Sequence, residues 1–273
     1  MANFWRLVNN VIEQADVLLE IVDSRLIQET RNVELERKIK DAEKPLILVL
    51  NKCDLTSKEY LEKKKKQFNK EDIPTLFVSS IEHLGTTLLR NKILSIAYKH
   101  KKKKEYLEKK EKIVVGVVGY PNTGKSSIIN ALKGKGSAKA SSQSGFTKAI
   151  QLIKCDNKIY LLDTPGVIPF EEKDEIKHAL IGATDANQVK DPDIAAMRLI
   201  EILDGKIEEY YHLHSYQPND FPSTKNNGEK SDSYEILEAI AKKQNKIKKG
   251  SEPDVNTMAK IIIKDWQNGK IKI

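Results

Sequence analysis

Short apolar runs alternate with helical patterns along the first 170 residues. The stretches VLLEIVD (17–23) and PLILVLN (45–51) are almost entirely apolar, and TLFVSS (75–80) and KIVVGVVG (112–119) have the same character. Such runs are typical of strands buried on both faces of a parallel sheet. Amphipathic spacing predicts helices before and between them, at 4–12, 31–43, 57–69 and 86–108. The pattern therefore predicts a doubly wound α/β domain.

The pattern changes towards the end of the chain. GKSSIINALKG opens a further helix, and AIQLIKC and KIYLLDT, joined at DNK, predict a hairpin. Beyond it, a polar loop at 215–232 interrupts a series of helical patterns. These patterns cover 174–184, 192–212 with Asp191 as N-cap and Pro192 in the first turn, 233–249 and 254–267. We expect two domains, 1–170 with a mostly parallel sheet and 171–273 all-α.

Composition narrows the function classes. No apolar stretch reaches the roughly 18 to 20 residues that span a bilayer, and the first residues lack a signal-peptide core, so we expect a cytoplasmic protein without membrane contact. Cys53 and Cys155 are too few and too far apart in sequence for a disulfide framework or a four-ligand zinc site. The net charge of +8 comes from lysine clusters and suits a polyanionic partner.

A phosphate-binding loop is the most specific motif. GYPNTGKS fits GxxxxGK[ST] and lies between an apolar run and an amphipathic helix, as the motif requires. The glycines allow backbone N–H groups to face phosphates, Lys125 would reach the β and γ oxygens, and Ser126 would bind Mg²⁺. The predicted phosphate contacts come from Gly119, Tyr120, Pro121, Asn122, Thr123, Gly124, Lys125, Ser126 and Ser127.

Two further segments fit a magnesium and γ-phosphate site. DTPG (163–166) ends an apolar run, so that Asp163 would hold the metal through water and the Gly166 N–H would meet the γ-phosphate. A simple turn after a strand is the alternative. Thr147 lies between the first helix and the hairpin, where a switch-loop Mg²⁺ ligand belongs, although it is otherwise an ordinary loop residue.

NKCD (51–54) follows a predicted strand and has the composition of a guanine-binding motif. A carboxylate at Asp54 would accept from guanine N1–H and the exocyclic amine, which adenine does not offer in that arrangement. Asn51 would contact the ring edge and tie the loop to the phosphate loop, and the Lys52 stem would cover the base. In VSSI, Ser79 would brace the loop and the Ser80 N–H would meet guanine O6. An accidental match is the alternative in a lysine-rich chain.

The order of these motifs is unusual. NKCD and VSSI precede the phosphate loop, Thr147 and DTPG. The arrangement predicts a circular permutation, in which the last helix of a GTPase domain is joined to its first strand through HKKKKEYLEKKEK. Such a closure is reasonable because domain termini often lie close together at the surface.

On these motifs the sequence resembles the YlqF/RbgA and YawG group of circularly permuted GTPases, which act in large ribosomal subunit assembly. VDSRLIQETRN is similar to the group's Asp-x-Arg segment, although Leu26 and Ile27 stand where proline is common. HALIGATDANQV and VNTMAKIIIKDWQNGKI resemble its C-terminal helical domain. The bacterial branch begins with a Pro-Gly-His-Met segment whose histidine is implicated in hydrolysis. This chain lacks that segment and is more similar to the archaeal and nucleolar branch.

The sequence leaves the hydrolytic step incomplete. Val167 and Ile168 follow DTPG where a Ras-like GTPase has a water-positioning glutamine, so intrinsic hydrolysis should be slow. The resemblance implies that Asn122 binds K⁺ where an arginine finger would act, and a polar turn residue is the alternative. Lys125, Thr147 and Asn122 are therefore the candidate catalytic residues.

The expected partners are GTP or GDP and the large ribosomal subunit or its rRNA, and DNA is not expected. Lysine runs at 63–66, 101–104 and 242–249 fit phosphate contacts or, alternatively, solvated helix faces. Because the helical domain directly follows DTPG, nucleotide state would control it. Two alternatives stay open: a GTP-gated RNA-binding scaffold with negligible turnover, and a P-loop ATP enzyme, against which Asp54 argues.

Overall fold

The computed structural model describes residues 2–71, 73–103, 112–133, 151–163, 174–213 and 233–273. The chain divides into two compact units, Met1–Lys173 and Asp174–Ile273. The domain boundary expected at 170/171 falls outside the described residues.

The first unit is built on a sheet that, in the described ranges, has six strands in the order β3–β2–β1–β4–β6–β5. All neighbouring pairs are parallel except the β5–β6 hairpin. The strands are β1 Val17–Asp23, β2 Leu46–Asn51, β3 Thr75–Phe77, β4 Ile113–Val118, β5 Gln151–Lys154 and β6 Ile159–Asp163. The predicted α/β class with a mostly parallel sheet is confirmed.

Helices cover both faces of this sheet. They are α1 Ala2–Gln14, α2 Ile27–Thr30, α3 Val33–Asp41, α4 Lys58–Phe68, α5 Thr86–Lys103 and α6 Lys125–Lys133. Side chains alternate along β1, so that Val17, Leu19 and Ile21 pack with residues of α5 and α6, whereas Leu18 packs with α1 and α3. Burial on both faces explains the continuous apolar runs, and it leaves the strand ends as the place for polar chemistry.

The second unit is helical in the residues that the structure covers. Its helices are α7 Glu175–Leu180, α8 Pro192–Leu203, α9 Lys206–Tyr210, α10 Ser233–Lys243 and α11 Val255–Gln267. The fully buried Trp266 anchors α11 by donating from its indole Nε1 to the Leu180 carbonyl at 2.9 Å. The buried Asp265 accepts from the Tyr211 hydroxyl at 2.9 Å. Hydrogen bonds to buried polar atoms fix how these helices pack.

Several element boundaries differ from the sequence prediction. The pattern at 192–212 is two helices, because Asp204 and Gly205 have positive φ values of 41° and 89° and end α8. Asp191 occupies the N-cap position of α8 without a side-chain capping bond. The short helix α2 was not predicted, and β3 ends at Phe77 rather than at residue 80.

No helix in the described ranges is long and apolar enough to cross a membrane.

Candidate nucleotide-binding site

The predicted site residues lie at the carboxyl edge of the parallel sheet. β2 ends at Asn51, β4 leads into the phosphate loop, and β6 ends at Asp163. In the sheet register Asp23 pairs with Asn51, and Val117, one residue before the end of β4, pairs with Asp163. This edge is where open α/β sheets bind ligands.

Asn51 joins three segments of the edge. Its buried side-chain Nδ2 donates to the Thr123 carbonyl of the phosphate loop at 2.9 Å, and its Oδ1 accepts from the Ser80 N–H at 3.2 Å. NKCD and GYPNTGKS are distant in sequence, so this contact depends on the fold. The structure therefore places the predicted base-reading and phosphate-binding loops side by side.

Lys52 is held by an ion pair. Its backbone is left-handed, with φ of 63°, and its Nζ lies 2.8 Å from Asp23 Oδ2. Burial lowers the pKa of Lys52, and the Asp23 carboxylate opposes that shift. Asp54 follows in a short 3₁₀ turn, Cys53–Leu55, and is half-buried. The predicted base contacts of Lys52 and Asp54 stay predictions.

The contact between Asp23 and Lys52 is one that sequence reasoning missed. Arg25 donates to the same carboxylate, from Nε to Oδ1 at 3.1 Å and from Nη2 to Oδ2 at 2.9 Å. Burial raises the pKa of Asp23, but Arg25 and Lys52 outweigh it and lower that pKa to about 2. The available signal was the VDSR segment at the end of a predicted strand.

The segment after β3 supports the same edge. Ser79 is fully buried, its N–H donates to the Leu84 carbonyl at 3.0 Å, and its Oγ accepts from the Glu82 N–H at 3.1 Å. These bonds form a tight turn that places the Ser80 N–H beside Asn51. The contact of the Ser80 N–H with guanine O6 stays a prediction.

The phosphate loop depends on backbone conformations that glycine permits. Gly119 has φ of 139°, and a Cβ there would lie 2.5 Å from the Ile21 carbonyl oxygen. Gly124 has φ of 96°, and a Cβ there would lie 2.1 Å from Asn51 Nδ2. Asn122, whose side chain is exposed, has φ of 58°, a region in which asparagine is tolerated better than most residues. Both glycines of the motif are thus required by close approach.

Lys125 begins α6 and its side chain turns back over the loop. Its Nζ donates to the carbonyls of Gly119 at 3.0 Å and Tyr120 at 2.7 Å. Burial lowers the pKa of Lys125 to about 8, and the negative charge of Asp163 partly opposes that shift. The Lys125 ammonium, held against the backbone of the phosphate loop, is suited to binding an anionic ligand.

The remaining loop residues divide by exposure. Thr123 is buried, and its hydroxyl donates to the Tyr120 carbonyl at 3.0 Å. Pro121 is half-buried, whereas Ser126 and Ser127 are exposed in the first turn of α6. Thr147 and Gly166, with Val167 and Ile168, lie outside the described residues.

Comparison with known proteins agrees with this geometry. Residues 114–225 match the family model described as 50S ribosome-binding GTPase. The chain is 39% identical to an uncharacterized GTP-binding protein of Methanocaldococcus jannaschii over 97% of its own length and 65% of that protein. It is 31% identical to the GTPase grn1 of Schizosaccharomyces pombe, over 96% of the chain and 59% of that protein.

A solved structure extends the agreement to the fold. GNP-bound YlqF from T. maritima is 22% identical, covers 98% of this chain and 95% of its own, and superposes with a TM-score of 0.60. Along the chain, β2, which ends at the first residue of NKCD, comes before β4, which leads into the phosphate loop. The chain therefore has the fold of YlqF, with its motifs in a circularly permuted order. The predicted resemblance and fold are confirmed.

The carboxyl edge of the sheet carries oxygen atoms that would suit Mg²⁺. Asp163 is buried at the end of β6, and the exposed Ser126 hydroxyl lies in the first turn of α6. Oxygen donors of this kind fit Mg²⁺, which retains several waters and uses one or two protein ligands with phosphate. Within the described ranges there is no group of three or more His, Cys, Asp and Glu side chains that would hold a metal by protein ligands alone.

Proposed function

We propose that this chain binds GTP with Mg²⁺, hydrolyses it, and acts in assembly of the large ribosomal subunit. The observation that carries the proposal is the bond from Asn51 to the Thr123 carbonyl, because it joins a guanine-type motif to a phosphate loop. The names of the matching family model and of the S. pombe relative support the same activity. The chain spans less than two thirds of the two relatives described above.

Each loop has a distinct task in this proposal. Asp54 accepts hydrogen bonds from guanine, the Lys52 stem covers the base, and the Ser80 N–H reads O6. Lys125 exchanges its two loop carbonyls for phosphate oxygens, which its burial and single positive charge favour. The backbone N–H groups at the start of α6 complete the phosphate contacts.

Hydrolysis would draw on the cations of the site. Ser126, Thr147 and Asp163 would hold Mg²⁺, which neutralises charge on the β- and γ-phosphates. Asn122, exposed in its left-handed turn, would hold K⁺ near the β–γ bridge. The Gly166 N–H would meet the γ-phosphate. Because Val167 and Ile168 orient no water, the intrinsic rate is slow and depends on K⁺, on the ribosomal subunit, or on both.

The ribosomal partner is supported by exposed lysines in both units. Lys63, Lys65 and Lys66 are exposed on α4, and Lys248 and Lys249 are exposed after α10. Such clusters suit rRNA phosphates. We propose that residues 171–273 bind RNA and that GTP sets their binding mode, since the second unit begins at Asp174, shortly after Asp163 in sequence. The work of the protein would then be cytoplasmic, at the assembling subunit.

Phosphate release tests the enzymatic part. The purified chain is given GTP and Mg²⁺ in K⁺ or Na⁺ buffer, with and without large ribosomal subunits, and Lys125→Met serves as the inactive reference. K⁺ and subunits should each raise release above the reference. Release that equals the reference under all four conditions would instead favour the RNA-binding scaffold without turnover.

Sedimentation tests the ribosomal part. The chain is spun with large subunits in GDP or in a non-hydrolysable GTP analogue. We expect more co-sedimentation with the analogue, and the difference should fall with rising salt. Equal binding in both nucleotides contradicts control by nucleotide state, and absence of binding contradicts the ribosomal role.

A further inference from the structure

Asp23 forms ion pairs with Arg25 and Lys52, and the predicted guanine contacts do not explain them. It is the last residue of β1, beside Asn51 in the sheet register, and only 5% of its surface is exposed. Its carboxylate accepts four hydrogen bonds: at Oδ1 from the N–H and Nε of Arg25, and at Oδ2 from Nη2 of Arg25 and Nζ of Lys52. A buried carboxylate that accepts three of its four bonds from cationic side chains stays ionised.

The arrangement of the two cations is unequal. Arg25 is a buried neighbour on the same segment, and it binds both carboxylate oxygens in a fork that fixes their plane. Lys52 reaches the carboxylate from the next strand, out of a left-handed backbone conformation. Arg25 therefore sets the direction of the carboxylate, and the carboxylate sets the position of the lysine ammonium.

We propose that the pair Asp23 and Arg25 positions Lys52 for purine binding, by stretching its side chain into the conformation that covers the base. The inference rests on the proposed binding of guanine nucleotides. A free lysine stem has four flexible bonds, and ordering it on binding would weaken affinity. An ion pair that orders the stem in advance removes that loss.

The alternative is an ion pair that only stabilises the ends of β1 and β2. The two explanations predict different energetic coupling between Asp23 and Lys52 in nucleotide binding. If Asp23 acts through Lys52, its effect on nucleotide affinity requires the lysine, whereas a purely structural effect does not.

A double-mutant cycle separates them. GDP affinity is measured by calorimetry for the full chain and for Asp23→Asn, Lys52→Met and the double variant. We expect Asp23→Asn to weaken GDP binding about tenfold in the wild-type background and less than about twofold beside Lys52→Met. Equal weakening in both backgrounds, or none in either, overturns the proposal.

A matched control lies elsewhere in the same unit. Asp156 pairs with Arg90 and, as Asp156→Asn, undergoes the same chemical change away from the nucleotide site. It should leave GDP affinity unchanged. IDP, which lacks the exocyclic amine, should lose affinity for Asp23→Asn by the same factor as GDP, since the lysine stem covers any purine. A larger loss for GDP alone would assign Asp23 to base reading and overturn the proposal.

A second variant guards against misfolding. If Asp23→Asn does not fold, Arg25→Met is used instead, because it keeps the carboxylate and removes the two guanidinium bonds to it. We expect Arg25→Met to weaken GDP binding about threefold in the wild-type background and to have no effect beside Lys52→Met. Unchanged affinity in Arg25→Met overturns the proposal. A wild-type chain that does not bind GDP would refute the proposed function itself, which is a different failure.

Discussion

The segment NKCD and the phosphate loop of this chain are built in different ways. In NKCD, Asn51 and Lys52 are fixed by side-chain contacts to other segments. In the phosphate loop, the shape comes from the backbone of Gly119, Asn122 and Gly124, all with positive φ. The first region should therefore be sensitive to lost charges and hydrogen bonds, and the second to added atoms.

The largest effect should come from an added atom where the two regions meet. In Gly124→Ala, the new Cβ would lie 2.1 Å from Asn51 Nδ2 and clash with it. The alanine backbone would also be strained at the φ of 96° that this position requires. We expect GDP affinity to fall by at least about 100-fold, measured by calorimetry, because both loops must shift.

Gly205→Ala is the matched control for strain. Gly205 has φ of 89°, and a Cβ there would meet nothing within 4 Å. The variant should lose about 1 kcal/mol of unfolding free energy with no change in GDP affinity. If Gly124→Ala binds GDP as the wild type does, the close approach of the two regions has no functional importance.

A smaller effect should follow from removing the link itself. Asn51→Ala breaks the bonds to the Thr123 carbonyl and the Ser80 N–H, and it leaves those two groups without this partner. We expect GDP binding to weaken about 10- to 50-fold and the unfolding free energy to fall by about 2 kcal/mol.

Asn32→Ala provides the comparison for this loss. Asn32 caps α3 by accepting from the Leu35 N–H, so its removal should cost about 1 kcal/mol of stability. Its GDP affinity should stay at the wild-type value. Similar weakening in both variants would show that general destabilisation, rather than the link, governs binding.

The smallest effect on GDP binding is expected at a second buried carboxylate on β1. Glu20 is as buried as Asp23, but it faces Glu36, and burial raises its pKa to about 8. A folded-state pKa above the usual value gives stability that is present below about pH 4.5 and is lost as pH rises through about 8. Burial thus raises the pKa of both carboxylates, and only the cations beside Asp23 reverse that shift.

Glu20→Gln removes this pH dependence because glutamine does not ionise. Relative to the wild type, the variant should gain on the order of 4 kcal/mol of unfolding free energy between pH 5 and pH 8.5, as measured by urea denaturation. Its GDP affinity should be unchanged. A difference in stability that is the same at both pH values contradicts the raised pKa.

The sequence was sufficient for the strands and for the motif order because apolar runs and glycine-rich loops are local signals. It was insufficient for the contact between Asp23 and Lys52, which are 29 residues apart. That contact depends on the register of β1 against β2, in which Asp23 lies opposite Asn51. Apolar runs show that two strands exist, but a continuous run does not specify its register.

Helix ends were also beyond the sequence pattern. The apolar spacing continues from α8 into α9, whereas Asp204 and Gly205 turn the backbone into the left-handed region and end the first helix. The motifs of the site were recognisable from the sequence because each carries its own chemistry, and their contacts with a nucleotide stay predictions. Its bonds between segments, such as those of Asn51, needed the folded chain.

The nucleotide preference of Asp54→Asn tests directly whether NKCD reads guanine. If Asp54 accepts hydrogen bonds from the guanine N1–H and amine, the amide should disfavour GDP and favour XDP, whose base presents an oxygen in place of the amine. Competition binding should show that the wild type prefers GDP over XDP and that the variant reverses this preference by at least about 100-fold in the affinity ratio. An unchanged preference for GDP, or preferential binding of ADP by the wild type, would contradict the assignment of NKCD as the guanine reader.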